Sequence, residues 1–311
     1  MKPKIICIVG PTASGKTGLS IELAKKIDAE IISADSMQIY KKLDIGTAKI
    51  KEEEKEGIRH HLIDICDINE KFSVAEFKKM CYDKIEEILS RKKQVIIVGG
   101  TGLYINAVVD NMSFDEENID YDYRRYLENL AKEKSNEYVY SLLEKVDPKS
   151  ALKIHSNNLK RVIRALEIYN NSNKLKSTHM EEEIKRKNSE ESKYQFFVFY
   201  IEHERDVLYE RINKRVDMMI EEGLEKEARY VYNLKLPNDL TCMQAIGYKE
   251  FFPYFEGKIT LEQVVYNIKQ ATRRYAKRQI TWFKNKLNVI YLNGSKKKEE
   301  LVKDIIDYIK N

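Results

Sequence analysis

No two cysteines of this chain stand close enough in sequence to frame a disulfide scaffold or a zinc site. Cys7, Cys66, Cys81 and Cys242 are far apart and form no C-x-x-C pair, which suits a reducing cytoplasm. No run approaches the roughly 20 apolar residues that a membrane span needs. Met1-Lys2-Pro3-Lys4 leads directly into an apolar segment too short for a secretion signal, so a soluble, unexported protein is expected. A strong charge bias is also missing. The 55 Lys and Arg against 50 Asp and Glu leave +5, with a pI near 8.7, a balance that permits a nucleic-acid partner without requiring one. The 311 residues suit a core domain plus a smaller one.

What is present is concentrated near the start. Gly10-Pro11-Thr12-Ala13-Ser14-Gly15-Lys16-Thr17 fits the phosphate-binding pattern G-x-x-x-x-G-K-[ST]. It follows the β-branched run Ile5-Ile6-Cys7-Ile8-Val9 and precedes Leu19, Leu23 and Ile27 at helical spacing, the strand-loop-helix context the motif requires. Glycines let the backbone wrap an anion so that its N–H groups and the next helix N-terminus face a diphosphate. Lys16 adds a point charge, and Thr17 a hydroxyl suited to Mg²⁺.

Phosphate-loop hydrolases usually end a second apolar strand in a metal-binding acid. Here Val95-Ile96-Ile97-Val98 runs into Gly99-Gly100-Thr101-Gly102 with no acid, and the acid instead follows Glu30-Ile31-Ile32-Ser33-Ala34, as Asp35. That displacement favours a transferase. A nucleotide or small-molecule kinase, and an RNA-binding protein with a nucleotide switch, stay open as alternatives.

Further along, His60-His61 precede Asp64, but neighbours on a strand point apart, so structural or substrate-loop roles suit them better than a metal. Ser73 and Glu76 frame a capping box before a helix that leads into the strand at 95–98. Alternating strand and helix predict an α/β fold with a parallel sheet flanked by helices. From about 113 to 198 the composition turns charged and helical, which predicts an inserted helical domain within a core of 1–112 and 199–311. In the insertion, Leu159, Val162, Ile163, Leu166 and Tyr169 share one helix face, and Lys160, Arg161 and Arg164 lie opposite, a face open to simple solvation or to phosphate contacts. The stretch 181–193 is nearly all polar and reads as a linker. Arg211 and Arg215 lie one turn apart, ready to pair with local acids such as Glu222 or to meet a ligand. Thr260 and Gln263 form a second capping box, and no acid interrupts 269–286, where Lys269, Arg273, Arg274, Lys277, Arg278, Lys284 and Lys286 are interleaved with Tyr275, Trp282 and Phe283. This run is the best compositional signal for an RNA backbone.

Taken with the phosphate loop, the blocks Asp35-Ser-Met-Gln-Ile-Tyr40, Asp44-Ile-Gly-Thr-Ala-Lys49, His60-His-Leu-Ile-Asp64, Gly99-Gly-Thr-Gly-Leu-Tyr104, Arg161-Val-Ile-Arg-Ala-Leu-Glu167, Ala245-Ile-Gly-Tyr-Lys249 and Lys277-Arg-Gln-Ile-Thr-Trp-Phe283 span nearly the whole chain. In this order the set resembles the bacterial tRNA dimethylallyltransferase (IPP transferase) family. The resemblance implies a P-loop NTPase-like core, Mg²⁺, and transfer of a dimethylallyl group from its diphosphate to N6 of the adenine 3′ of the anticodon. The tRNAs concerned would be those reading codons that begin with U. It implies Asp35 as general base, Arg215 as a diphosphate contact alongside Lys16 and Thr17, and Thr101 beside the target adenine. Contacts to tRNA are implied for Ser36, Met37, Gln38, Arg124, Lys160, Arg161, Val162, Ile163, Arg164, Gly247, Tyr248, Lys277, Arg278 and Gln279. The family more often has Gln at the position of Lys160, which suggests a phosphate contact there. The implied partners are a tRNA anticodon arm and dimethylallyl diphosphate, with no membrane and a monomeric protein. Relatives that prenylate free adenylate would share the core, so they remain an alternative.

Overall fold

The computed structural model describes residues 2–114, 120–172, 175–178, 192–237 and 240–310. It divides into two compact units, one of Met1–Val109 with Lys193–Asn311 and one of Asp110–Ser192. The core thus resumes earlier than 199, because its strand β5 already begins at Gln195. The polar stretch expected as a linker lies largely outside the described residues; Lys193, at its end, pairs with Glu86 at 2.6 Å.

The first unit is built on six parallel strands in the order β3-β2-β4-β1-β5-β6: β1 Lys4–Val9, β2 Ala29–Ser33, β3 His60–His61, β4 Gln94–Gly99, β5 Gln195–Glu202 and β6 Ile290–Asn293. Central β1 sets Ile5 opposite Val95 on one side and Phe196 on the other. Its side chains alternate between two buried faces. Ile5, Cys7 and Val9 pack with Phe77, Cys81 and Ile85 of α2 (Val74–Ser90) and Ile105 of α3 (Gly102–Val109). Ile6 and Ile8 pack with Leu19 and Leu23 of α1 (Lys16–Ile27). Two covered faces explain why these strands read as unbroken apolar runs.

The second unit carries α4 (Tyr121–Glu133), α5 (Asn136–Val146), α6 (Pro148–Ala151) and α7 (Leu159–Ser172) around a core of Leu127, Leu143, Val162, Ile163 and Leu166. In that core Glu167 is fully buried, held by a fork from Arg124 at 2.6 and 2.8 Å and by Arg164 at 3.5 Å. A buried carboxylate stripped of its fork keeps its desolvation cost. Arg124→Ala is therefore expected to lower the stability of this unit by about 1.5–3 kcal/mol, read as faster hydrogen exchange in α4 and α7. Unchanged exchange would count against the ion pair as a structural device.

The remaining helices of the first unit are α8 (Arg205–Glu221), α9 (Leu224–Asn233), α10 (Phe252–Phe255), α11 (Leu261–Lys286) and α12 (Lys298–Lys310). The Ser73 capping box forms in both directions, at 2.7 and 3.2 Å. At Thr260 only half of it forms, since the Gln263 amide turns to Asn267 instead.

Candidate functional site

The turn after β1 uses left-handed backbone at Ala13 (φ 62°) and Gly15 (φ 93°), which curls residues 10–15 before α1 begins. Its outer side is braced by carbonyl contacts: Arg211 Nε donates to Ala13 O at 2.8 Å and His203 Nε2 lies 2.9 Å from Ser14 O. Lys16 Nζ donates to Pro11 O at 2.6 Å. Enclosure, and then the Arg215 guanidinium, push the Lys16 ammonium down to about 7 against the opposing pull of Asp35. Arg215 reaches Thr12 Oγ1 at 3.4 Å, and its own enclosure lowers its pKa while Asp35 raises it. The Arg215 charge thus weighs against the Lys16 ammonium at the loop, an effect that an incoming anion offsets.

These groups share one cavity of about 600 Å³, to which Thr12, Lys16, Thr17, Asp35 and Arg215 all contribute. It opens at the carboxyl ends of β1, β2 and β4, the place where parallel sheets bind ligands. Asp35 combines the two readings open to it from sequence. Its Oδ1 accepts from Met37 N at 2.9 Å and closes a turn, and the same carboxyl lines the cavity. Thr101 accepts from Ser36 N at 2.9 Å and lies 3.2 Å from Ser36 Oγ, so β4's exit loop is tied to the Asp35 loop. On α8 the apolar Ile212, Val216 and Met219 line the cavity beside Arg215, at helical spacing, together with Ile268 of α11.

Several expected tRNA contacts take other places. Val162 and Ile163 are buried in the helical unit, and Tyr248 is 2 % exposed with its hydroxyl donating to Glu227 at 2.8 Å. Their side chains are core, a correction to the sequence reading, whereas the neighbouring Lys160 and Arg161 are exposed and Arg164 is partly so. Gln279, buried, accepts from Thr12 N at 2.9 Å and donates to Gly100 O at 2.9 Å. It therefore clips the phosphate loop to the β4 exit, and it also lines the cavity. Arg124 carries the Glu167 fork already described. Arg278, Gly247, Ser36, Met37 and Gln38 line the cavity, while Lys277 is exposed on α11. The acid-free run is partly neutralised from other elements: Lys269 meets Asp217 at 2.6 Å and Lys284 meets Glu202 at 2.7 Å.

His61 is buried against Glu30 at 2.6 Å, with Arg91 on the same carboxylate at 2.8 Å, and burial lowers its pKa. His60 Nδ1 lies 2.9 Å from Ile58 O. Among the described residues no group of three or more His, Cys, Asp or Glu could hold a metal. Lys176, to which no role was given from sequence, has its ammonium pushed down first by burial and then by Arg161 and Arg164. The sequence reading also gave Tyr275 no role, although its ring lines the cavity and its phenol is pushed up by burial and by Asp35.

A parallel α/β core that opens a phosphate loop, Lys16, Arg215, the Asp35 carboxylate and apolar side chains onto one cavity defines a phosphate-loop protein. The model of the family described as IPP transferase matches residues 38–286. The chain is 49% identical over 307 residues to the tRNA dimethylallyltransferase of Acetivibrio thermocellus, covering 98% of this chain and 97% of that one. It is 48% identical over 306 residues to that of Bacillus licheniformis, covering 96% of each. Among solved structures, the full-length tRNA isopentenylpyrophosphate transferase of Bacillus halodurans superposes with a TM-score of 0.73 at 44% identity, covering 99% of this chain and 96% of that one. A eukaryotic dimethylallyltransferase acting on tRNA gives 0.82 at 30% identity, covering 99% of this chain and 80% of that one. The chain belongs to the IPP transferase family.

Proposed function

We propose that this chain transfers the dimethylallyl group of dimethylallyl diphosphate to N6 of the adenine 3′ of the anticodon, in tRNAs reading codons that begin with U, giving N6-(dimethylallyl)adenosine and diphosphate. The observation that carries this reading is the single cavity holding Lys16, Arg215, Asp35 and apolar side chains. The diphosphate sits on the loop amides, Lys16 and Arg215, and the five-carbon group lies against Ile212, Val216 and Met219. Adenine must leave the anticodon-loop stack to reach it. The C–O bond to diphosphate then breaks with its electron pair leaving on oxygen, the N6–C bond forms, and Asp35 takes the N6 proton. Growing charge on the departing diphosphate meets fixed cations, and bound tRNA covering the cavity mouth would keep water from the allylic carbon.

Mg²⁺ is part of the proposal. Thr17 lines the cavity next to Lys16 in the chain and would offer its hydroxyl, and a site so poor in protein ligands suits an ion that keeps waters and takes substrate oxygens. Bound there, it would neutralise diphosphate charge. The basic faces of Lys160, Arg161 and Arg164, and of Arg274 and Arg278, support an RNA backbone as the larger ligand. Among the described residues no helix is long and apolar enough to cross a membrane. Buried free thiols, with Cys66 pushed up to about 12 by burial first, support a reducing cytoplasm.

Labelled dimethylallyl diphosphate offered with unmodified tRNA, AMP and ATP in parallel tests the reading. Label in tRNA is expected. Label in AMP alone would make it a free-adenylate enzyme, and ATP turnover without transfer would make it a kinase.

The two-cation site also predicts a pH effect. Burial and Arg215 hold the Lys16 ammonium down at about 7, so it loses its proton as pH rises past that value, and bound diphosphate restores it. Calorimetry in buffers of different ionisation enthalpy should show about one more proton taken up at pH 8 than at pH 6, and Lys16→Met should abolish the excess. Equal uptake by protein and variant would contradict this. With the ordinary value at 10.5, the unfolded chain holds this proton between about 7 and 10.5 while the folded chain does not. In that window the group makes the free protein more stable as pH rises.

A further inference from the structure

The loop that follows the Asp35 turn is anchored in the core by Ile39, Tyr40 and Leu43, and beyond them Gly46 and Thr47 form part of the cavity wall. What holds the backbone of 44–46 is Glu227, near the start of α9. This carboxylate accepts from three consecutive backbone amides, Asp44 N at 3.0 Å, Ile45 N at 2.9 Å and Gly46 N at 2.9 Å, and from the Tyr248 hydroxyl at 2.8 Å. The fit is close, since a Cβ added at Gly46 would come within 2.6 Å of the Tyr248 ring. Charge-assisted hydrogen bonds of this kind are the strong ones, and four on one side chain fix the loop in place.

The loop in turn holds Gln38. Its Nε2 donates to Thr47 O and Ala48 O, both at 3.2 Å, while its Oε1 accepts from Ser33 Oγ at 3.2 Å. The Gln38 amide is therefore stretched between the end of β2 and the loop that Glu227 clamps. Gln38 also lines the cavity, next to Met37 and Asp35. On the other side of the clamp, Tyr248 follows Gly247, another lining residue.

We propose that Glu227 is a positioning residue for the nucleic-acid substrate: by clamping residues 44–46 and Tyr248 it fixes the Gln38 amide and the Gly46 and Gly247 wall against which the acceptor base enters. This inference rests on the proposed transfer to tRNA. Glu227 lines no part of the cavity, so it acts only through the loop it holds. Glu227→Gln replaces an acceptor oxygen with an NH₂ group that meets backbone N–H donors head-on, which should displace the loop without changing side-chain volume.

Steady-state kinetics of the full chain test it. Glu227→Gln is expected to raise the KM for tRNA about tenfold and to lower kcat/KM for tRNA by up to about 10²-fold, as for ångström-scale misplacement, with the KM for dimethylallyl diphosphate changed less than about twofold. Tyr248→Phe, which removes one of the four bonds, should move the same constants in the same direction by a few-fold, and it carries the test if the Gln variant folds poorly. Parallel rises in both KM values, a lowered melting temperature with neither KM changed, or no effect at all would each overturn the proposal. Wild-type protein that transfers nothing to tRNA would instead refute the functional reading, a failure visible before any variant is made.

Discussion

Asp35→Ala is expected to reduce kcat by about 10²–10⁴-fold, the usual worth of a general base, while tRNA affinity changes only a few-fold. The complication is that Asp35 has two jobs in the structure, since its Oδ1 also closes the turn on Met37 N. Asp35→Asn separates them. The amide oxygen can still accept from Met37 N, so the turn and the wall formed by Ser36 and Met37 persist, yet the side chain no longer takes a proton. The account therefore predicts that Asn is nearly as damaging as Ala to kcat, with tRNA binding closer to wild type. An Asn variant that retained turnover would leave only the turn as the function of Asp35.

Arg215→Ala should lower kcat by about 10²–10³-fold, the scale set by removing one donor aimed at developing negative charge. Arg215→Lys should recover only part of this, because an ammonium lacks the planar fork that meets two diphosphate oxygens. A second readout follows from its neighbour. Enclosure is the first cause of the lowered Lys16 pKa and Arg215 the second. Without the guanidinium, Lys16 keeps its proton to higher pH, so the excess proton uptake at pH 8 should shrink. A large kcat loss with unchanged proton linkage would place Arg215 away from the diphosphate.

The sheet and the phosphate loop were legible in the sequence because their signals are local. Ile5–Val9 is apolar without a break because both faces of β1 are covered, and the loop pattern sits in consecutive residues. The helical insertion was legible from its change in composition, and its edge was drawn at 198 although the apolar run from Phe196 already belongs to β5. Pairings across long separations were hidden. Gln279 joins Thr12 and Gly100, and Glu227 clamps Gly46, yet nothing in either helix distinguishes those side chains from solvated neighbours. Val162, Ile163 and Tyr248 show the opposite failure. Each lies in a block whose match to the family drew attention to the whole segment, although the period of α7 already assigned Val162 and Ile163 to its apolar face. The acid-free run of α11 overstated its free charge, because Asp217 and Glu202 come from other elements.

The central claim is that one cavity unites diphosphate, five-carbon group and adenine N6, with Asp35 at the nitrogen. Nucleoside mass spectrometry of an anticodon stem-loop incubated with the protein, dimethylallyl diphosphate and Mg²⁺ tests it most directly. The account predicts one dimethylallyl group, on N6 of the adenine 3′ of the anticodon, absent with Asp35→Asn and absent when that adenine is replaced by guanine. A prenyl group on another base, or an equal yield from Asp35→Asn, would contradict it.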